Sequence, residues 1–360
     1  MTFAAAPGAD DDPRGRASMN AALQQLAHVT ALVGRDPLLT QGAGGNTSLK
    51  IGDRLWVKAS GAWMRDAEDR EIFAQASAGE FTAALRSGAP GSVEAVAQAG
   101  AASGALRPSI EAVLHAIMPQ SAVIHAHAIN SVVCSVLADW KDRFRAAAQR
   151  LGVRARCAPY LKPGAVLAAA IAKDNAAHGA PDVILLQNHG LLVGAPTPAA
   201  ALDLLLAVER ALAFPVRALS AQEGAEAPPE GFELDSDHAG VACDPELCAA
   251  ITQAPLTPDQ VVFVGGAPCA APRAASVARI VQRAAAATGI APALAYVPGL
   301  GALRRRGLTE GQRAQCVALF EVARRAPVGA RIVGLTQDQA SELVNWDAEK
   351  FRRAADESRV

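Results

Sequence analysis

The chain has 360 residues, 51% of them hydrophobic and 19% charged, with 34 Lys and Arg against 35 Asp and Glu for a formal net charge of -1. That balance, with only 4% aromatic residues, excludes a basic nucleic-acid surface or an anionic-membrane surface. No uninterrupted apolar run approaches the roughly 18 residues of a membrane span, and the length allows one large domain or two ordinary ones.

Residues 1–17 are rich in Ala, Gly, Pro and Asp without an apolar core, and read as a disordered leader, not a signal peptide. Residues 18–33 are apolar at helical spacing, and Gly34 ends that helix. A Gly-rich loop follows, Q-G-A-G-G-N at 41–46, then the strand-like runs T-S-L-K-I and R-L-W-V-K, joined at Gly52 and Asp53 as a hairpin ending at Ala59-Ser60-Gly61. Residues 73–105 suggest one helix over 74–86 and a flexible connector. Ser109 can N-cap a helix carrying Glu111 through Met118, which Pro119 closes. Residues 121–127 read as a strand, 130–150 as largely helical, 163–178 as a helix, 181–188 as a strand and 198–213 as a helix. The order predicts an α/β domain over 18–220, a mostly antiparallel sheet between helical layers.

Residues 221–231, A-Q-E-G-A-E-A-P-P-E-G, read as a linker. A smaller α/β module occupies 232–360, with strands predicted at 261–264 and 293–297 and helices at 277–287, 310–325 and 337–355. The six cysteines are scattered and form no C-x-x-C, so reduced thiols in the cytoplasm are expected, and Cys243 and Cys248 read as buried small residues.

The chemistry concentrates in two strand-like segments, A-V-I-H-A-H-A-I-N at 122–130 and D-V-I-L-L-Q-N-H-G-L-L-V-G at 182–194. In an extended strand, residues two apart share a face, so His125 and His127 project together about 7 Å apart at Cα. A lone histidine on an apolar strand is more often a satisfied core residue than a ligand. His189, at the polar end of a neighbouring strand, adds a third imidazole. Three neutral imidazoles with an open fourth position suit a catalytic zinc ion. Upstream, R-P-S-I-E at 107–111 opens the helix that leads into the H-x-H strand and places the acidic Glu111 there.

Five segments in order, G-G-N-T-S at 44–48, A-S-G at 59–61, R-P-S-I-E at 107–111, H-A-H at 125–127 and Q-N-H-G-L at 187–191, resemble the class II aldolase/adducin head-domain family over about residues 18–215. The resemblance implies a three-layer fold, usually a cyclic homotetramer with the active site between subunits. It implies His125, His127 and His189 as ligands of Zn2+, or of another divalent ion such as Mn2+, and Glu111 as the catalytic acidic residue. It places Asn46, Ser60, Gly61 and Ser109 at a substrate anion, to which Lys58 could add a point charge. A Gly-rich turn suits an anion through its backbone N–H groups, and a helix start through its dipole.

Two departures from the family pattern stand out. Ile110 occupies the place of a second serine before the glutamate. The helical stretch after H-x-H holds no tyrosine at 141–149, where the aldolases carry a proton donor; Tyr160 and Tyr296 are the two tyrosines. The C-terminal segments V-P-G-L-G at 297–301 and N-W-D-A-E-K-F at 345–351 are similar to the aldolase part of rhamnose-utilisation aldolase/dehydrogenase proteins, and no G-x-G-x-x-G follows a strand.

These implications give a zinc-dependent aldolase that cleaves a ketose or ketose phosphate through a metal-stabilised enediolate. The same scaffold also accommodates a metal-dependent decarboxylase of a 3-oxo acid or a pentulose-phosphate 4-epimerase. A non-catalytic adducin-like scaffold has no need of the histidines. The expected partner is a small sugar or oxo acid, with no nucleic acid and no membrane. His115 reads as structural or as a hydrogen-bond partner of the site; His28, His178 and His238 read as surface or loop residues. Glu209 reads as a helix-face charge, and Lys162 and Arg304 to Arg306 as solvated.

Overall fold

The computed structural model describes residues 13–99, 106–220, 227–298 and 301–358. They gather into two compact units. One comprises the residues up to 126 with 148–185 and 191–210; the other comprises 127–147, 186–190 and 211–360.

A seven-stranded sheet runs in the order β3-β2-β1-β4-β7-β6-β5. Its strands are β1 (Asn46–Ile51), β2 (Arg54–Lys58), β3 (Phe73–Ser77), β4 (Ala122–Ala126), β5 (Ala155–Ala158), β6 (Val183–Leu186) and β7 (Gly190–Ala195). The β1–β2 hairpin forms as its Gly52-Asp53 turn predicts, with Ser48 opposite Val57. The pairs β2–β3, β1–β4 and β4–β7 are also antiparallel. Central strand β4 is buried along its whole length, His125 included. Helices Pro13–Arg35, Ala78–Ser87, Ala112–Ile117, Ala165–His178 and Pro198–Ala211 accompany this sheet, the α/β architecture expected of this region.

Several local expectations are corrected. Residues 73–77 are a strand, because F-A-Q-A-S pairs with β2 before Ser77 caps the helix that follows. Residues 92–99 form a further helix. The helical stretch after H-x-H breaks into Ile129–Ser135 and Trp140–Leu151. The predicted strand at 181–188 ends at Leu186, and the chain re-enters the sheet as β7.

A second sheet has the order β8-β11-β10-β9, with strands β8 (Phe232–Asp235), β9 (Cys269–Ala270), β10 (Leu294–Val297) and β11 (Gly301–Arg305). Phe232, Val277, Val281, Val297 and Leu303 pack as its core. The expected strand at 261–264 is instead the helix Pro258–Val264. Thr257 accepts the Gln260 N–H at its start, Pro258 sits in its first turn, and Gly265 closes it with φ 75°. Strong start and stop signals override the β preference of V-V-F-V. The helix expected over 337–355 is two helices, Gln337–Val344 and Asp347–Glu357.

Candidate metal centre

Sheet register sets the first part of the site. Asn46 opens β1 directly opposite His125 on β4. Gly45, with φ 62°, precedes it; a Cβ there would stand 2.7 Å from the His125 carbonyl oxygen. The double glycine of G-G-N therefore lets the loop backbone close against the histidine strand. Lys58 is buried and donates to the carbonyls of Ala43, at 3.1 Å, and Ala62, at 2.7 Å. Its ammonium ties the Gly-rich loop to the A-S-G turn.

The A-S-G turn is laced to the R-P-S segment. Ser60 N–H donates to the Arg107 carbonyl at 2.9 Å, Ser109 N–H donates to that of Lys58 at 3.3 Å, and Ala59 bridges Pro108. Gly61 takes φ 75° in the turn. Ser109 Oγ accepts the Glu111 N–H at 3.3 Å. The helix beyond starts only at Ala112 and ends at Ile117. Ser109 thus precedes the helix and does not occupy the N-cap, and this six-residue helix presents no long dipole.

Asn46 Nδ2 donates to Ser109 Oγ at 3.3 Å and to Glu111 Oε2 at 3.2 Å. Its Oδ1 accepts from Nε2 of His115, whose Nδ1 lies 2.7 Å from Ser48 Oγ. The amide oxygen calls for a proton on Nε2, and in the neutral ring Nδ1 then accepts from the hydroxyl. Burial lowers its pKa to about 3. His115 is therefore the residue that orients Asn46, the more specific of the two roles its sequence position allowed.

Glu111 Oε2 lies 3.4 Å from His125 Nε2, and both side chains are buried. His125 Nδ1 faces the Leu191 carbonyl oxygen at 3.1 Å. A backbone acceptor on Nδ1 favours the tautomer with its proton there, which puts the lone pair on Nε2.

His127 follows β4, and His189 sits between β6 and β7. Their rings lie 5.1 Å apart between centroids. Asn188, just before His189, adopts φ 55° and donates Nδ2 to the carbonyls of Leu256, at 2.9 Å, and Val333, at 2.7 Å. Among the described residues, His125, His127 and His189 offer nitrogens that all lie within 4.8 Å of one another, and all three are buried. Three buried imidazole donors gathered this closely could hold a zinc-type divalent ion, whose nitrogen ligands sit about 2.0–2.1 Å from it.

Sequence reasoning missed Asp259. It is buried, and its Oδ2 lies 3.0 Å from His127 Nδ1 while Oδ1 lies 2.9 Å from Arg352 Nη2. Burial pushes the Asp259 carboxyl up, but the Arg352 charge and the His127 contact outweigh it and hold the group well below the ordinary carboxylate range. The sequence reading expected a strand at 261–264 and gave Asp259 no place beside the histidines. His238 is also corrected: it is buried, bonded to the Tyr296 hydroxyl at 2.6 Å and the Cys316 carbonyl at 2.8 Å. Glu209 is buried. Arg304 is half-buried and pairs with Glu233 and Asp235. His28 and His178 are exposed as expected.

A family model described as the class II aldolase and adducin N-terminal domain matches residues 24–215. A curated relative, the uncharacterized oxidoreductase YuxG of Bacillus subtilis (strain 168), is 27% identical over 200 residues, 52% of this chain and 28% of that protein. The chain thus spans under a third of that relative. Among solved structures, the N-terminal class II aldolase domain of a conserved protein from Thermoplasma acidophilum aligns with 24% identity and a TM-score of 0.44, covering 59% of this chain and 97% of that one. A sugar-phosphate aldolase from Thermotoga maritima aligns with 13% identity and a TM-score of 0.40, covering 54% of this chain and 93% of that one.

Proposed function

The chain belongs to the class II aldolase and adducin N-terminal domain family, and from that premise we propose that it is a divalent-metal-dependent carbon–carbon lyase acting on a ketose or ketose phosphate. The observation that carries this reading is the cluster of His125, His127 and His189, with Glu111 beside His125. The histidines would hold the ion, Zn2+ or a similar cation such as Mn2+. When bound, the ion supplies Lewis-acid stabilisation of negative charge developing on substrate oxygen, several kcal/mol of it by the usual scale of such effects.

The chain's own groups do the rest. Glu111 moves the proton at the reacting carbon, and Asn46, itself set by His115, holds the carboxylate in place through Oε2. Asn46, Ser60, Gly61 and Ser109 form the anion-binding side, with hydroxyl and backbone donors suited to a phosphate or carboxylate. Lys58 fixes the two loops that carry these donors. We assign the protein a small-molecule sugar substrate and a cytoplasmic homotetramer. No described helix is long and apolar enough to cross a membrane.

A second reading keeps the same centre but makes the reaction decarboxylation of a 3-oxo acid or 4-epimerisation of a pentulose phosphate. Half-buried Ile110 favours it, since an apolar side chain stands where the aldolases have a second serine. The test is a panel of ketose phosphates and 3-oxo acids, assayed with and without chelator. Two carbonyl fragments establish the aldolase; CO2 or an epimer establishes the second reading. Full turnover after complete metal removal would overturn both.

A further inference from the structure

We propose that Asp259 and Arg352, which lie beyond the family-matched residues, are a positioning pair that fixes the His127 ring for ligation; the proposal rests on the metal reading above. Asp259 sits in the first turn of the helix Pro258–Val264, every residue of which is buried. Its two oxygens are committed to different partners: Oδ2 to His127 Nδ1 at 3.0 Å and to Gln315 Nε2 at 3.4 Å, Oδ1 to Arg352 Nη2 at 2.9 Å. Arg352 is held in turn. Its Nη1 donates to both Glu349 oxygens, at 3.1 and 2.9 Å, and its guanidinium lies over the Phe263 ring at 5.2 Å. The carboxylate can neither rotate away nor be re-solvated without breaking these contacts.

The consequence falls on the imidazole. With Nδ1–H donated to a carboxylate, the lone pair stays on Nε2, and the adjacent negative charge makes that nitrogen a stronger donor. His125 obtains the same tautomer from the Leu191 carbonyl, a neutral acceptor. The two histidines of H-A-H are thus oriented by different means, and His127 by a charge from outside the matched domain. Such carboxylate–histidine–metal arrangements typically change metal affinity by about 10- to 100-fold.

The experiment uses the full chain, stripped with chelator and titrated with Co2+ and Zn2+ against a competing indicator, with the Co2+ visible spectrum recorded. Asp259→Ala should weaken affinity by about 10- to 100-fold and alter the Co2+ ligand-field bands. Asp259→Asn should lose less, because an amide oxygen still accepts the Nδ1–H. Arg352→Met should fall between that variant and the parent. Asp347→Asn, on the exposed start of the last helix, serves as control and should match the parent. A purely structural ion pair would shift the metal-free melting temperature and leave affinity and spectrum alone; that pattern overturns the proposal. Should Asp259→Ala fail to fold, parental affinity and spectrum in both Asp259→Asn and Arg352→Met overturn it equally. Absence of Co2+ and Zn2+ binding by the parent chain would overturn the metal reading itself, a distinct result from parental binding that is indifferent to residue 259.

Discussion

Nε2 of His125 lies 3.4 Å from Oε2 of Glu111, with both groups buried. On the proposed reading, a carboxylate that close to a ligand nitrogen would stand beside the reacting atoms without needing to hold the ion. Glu111→Gln keeps the shape and the Asn46 contact but removes the titratable group. Metal content should stay at the parental level while turnover drops about 10²- to 10⁴-fold, the usual range for a lost proton-transfer group. Parallel metal analysis and kinetics check this; loss of metal in the variant would make Glu111 a ligand instead.

Gly45→Ala should damage the site from the backbone. The position has φ 62°, and the new methyl would meet the His125 carbonyl oxygen at 2.7 Å. A left-handed non-glycine residue of this kind strains the chain by about 1–3 kcal/mol. The clash is with backbone, which cannot swing aside as a flexible side-chain end would. Thermal unfolding should shift down by several degrees, and metal retention should weaken as His125 is displaced.

Asn188 separates two contributions. Asn188→Gly retains the left-handed backbone but removes both amide hydrogen bonds, leaving the Leu256 and Val333 carbonyls to find other donors. That should destabilise by about 1–3 kcal/mol in denaturant unfolding. Asn188→Ala loses the same bonds and also strains φ 55°, adding about 1–2 kcal/mol. Equal values for the two variants would show that backbone conformation contributes nothing.

His115 makes stability depend on pH. Its folded pKa is about 3, from burial, against an ordinary value of 6.5. Between those values the unfolded chain takes up a proton that the folded chain excludes. Stability from this group is therefore complete above pH 6.5 and is lost as pH falls. The slope is about 1.4 kcal/mol per pH unit, or roughly 2 kcal/mol between pH 6.5 and 5. His115→Gln should flatten the dependence of unfolding free energy on pH in that window. An unchanged slope would mean that His115 is protonated in the fold.

Much of the site is legible in the chain because its signals are local or ordered. H-A-H at the end of a buried strand, the glycine pair before Asn46 and the G-D hairpin turn each follow from short-range geometry, and the structure places Asn46 opposite His125 as a consequence of strand register. His115 was ambiguous, since its role depends on two partners, Asn46 and Ser48, that only sheet pairing brings to it. Asp259 was invisible for the same reason: a long-range contact through a helix whose V-V-F-V core reads as a strand. Phe73–Ser77 was missed because an alanine-rich strand carries little β preference of its own and is made by its pairing with β2.

The central claim is that His125, His127 and His189 jointly hold one divalent ion, and metal analysis of the purified full chain beside His127→Ala and His125→Ala tests it most directly. The account predicts close to one bound zinc or similar ion per parental chain and near-complete loss in either variant, with the fold retained by circular dichroism. A parental chain that retains no ion after loading with Zn2+ or Mn2+, or variants that bind it as the parent does, would contradict it.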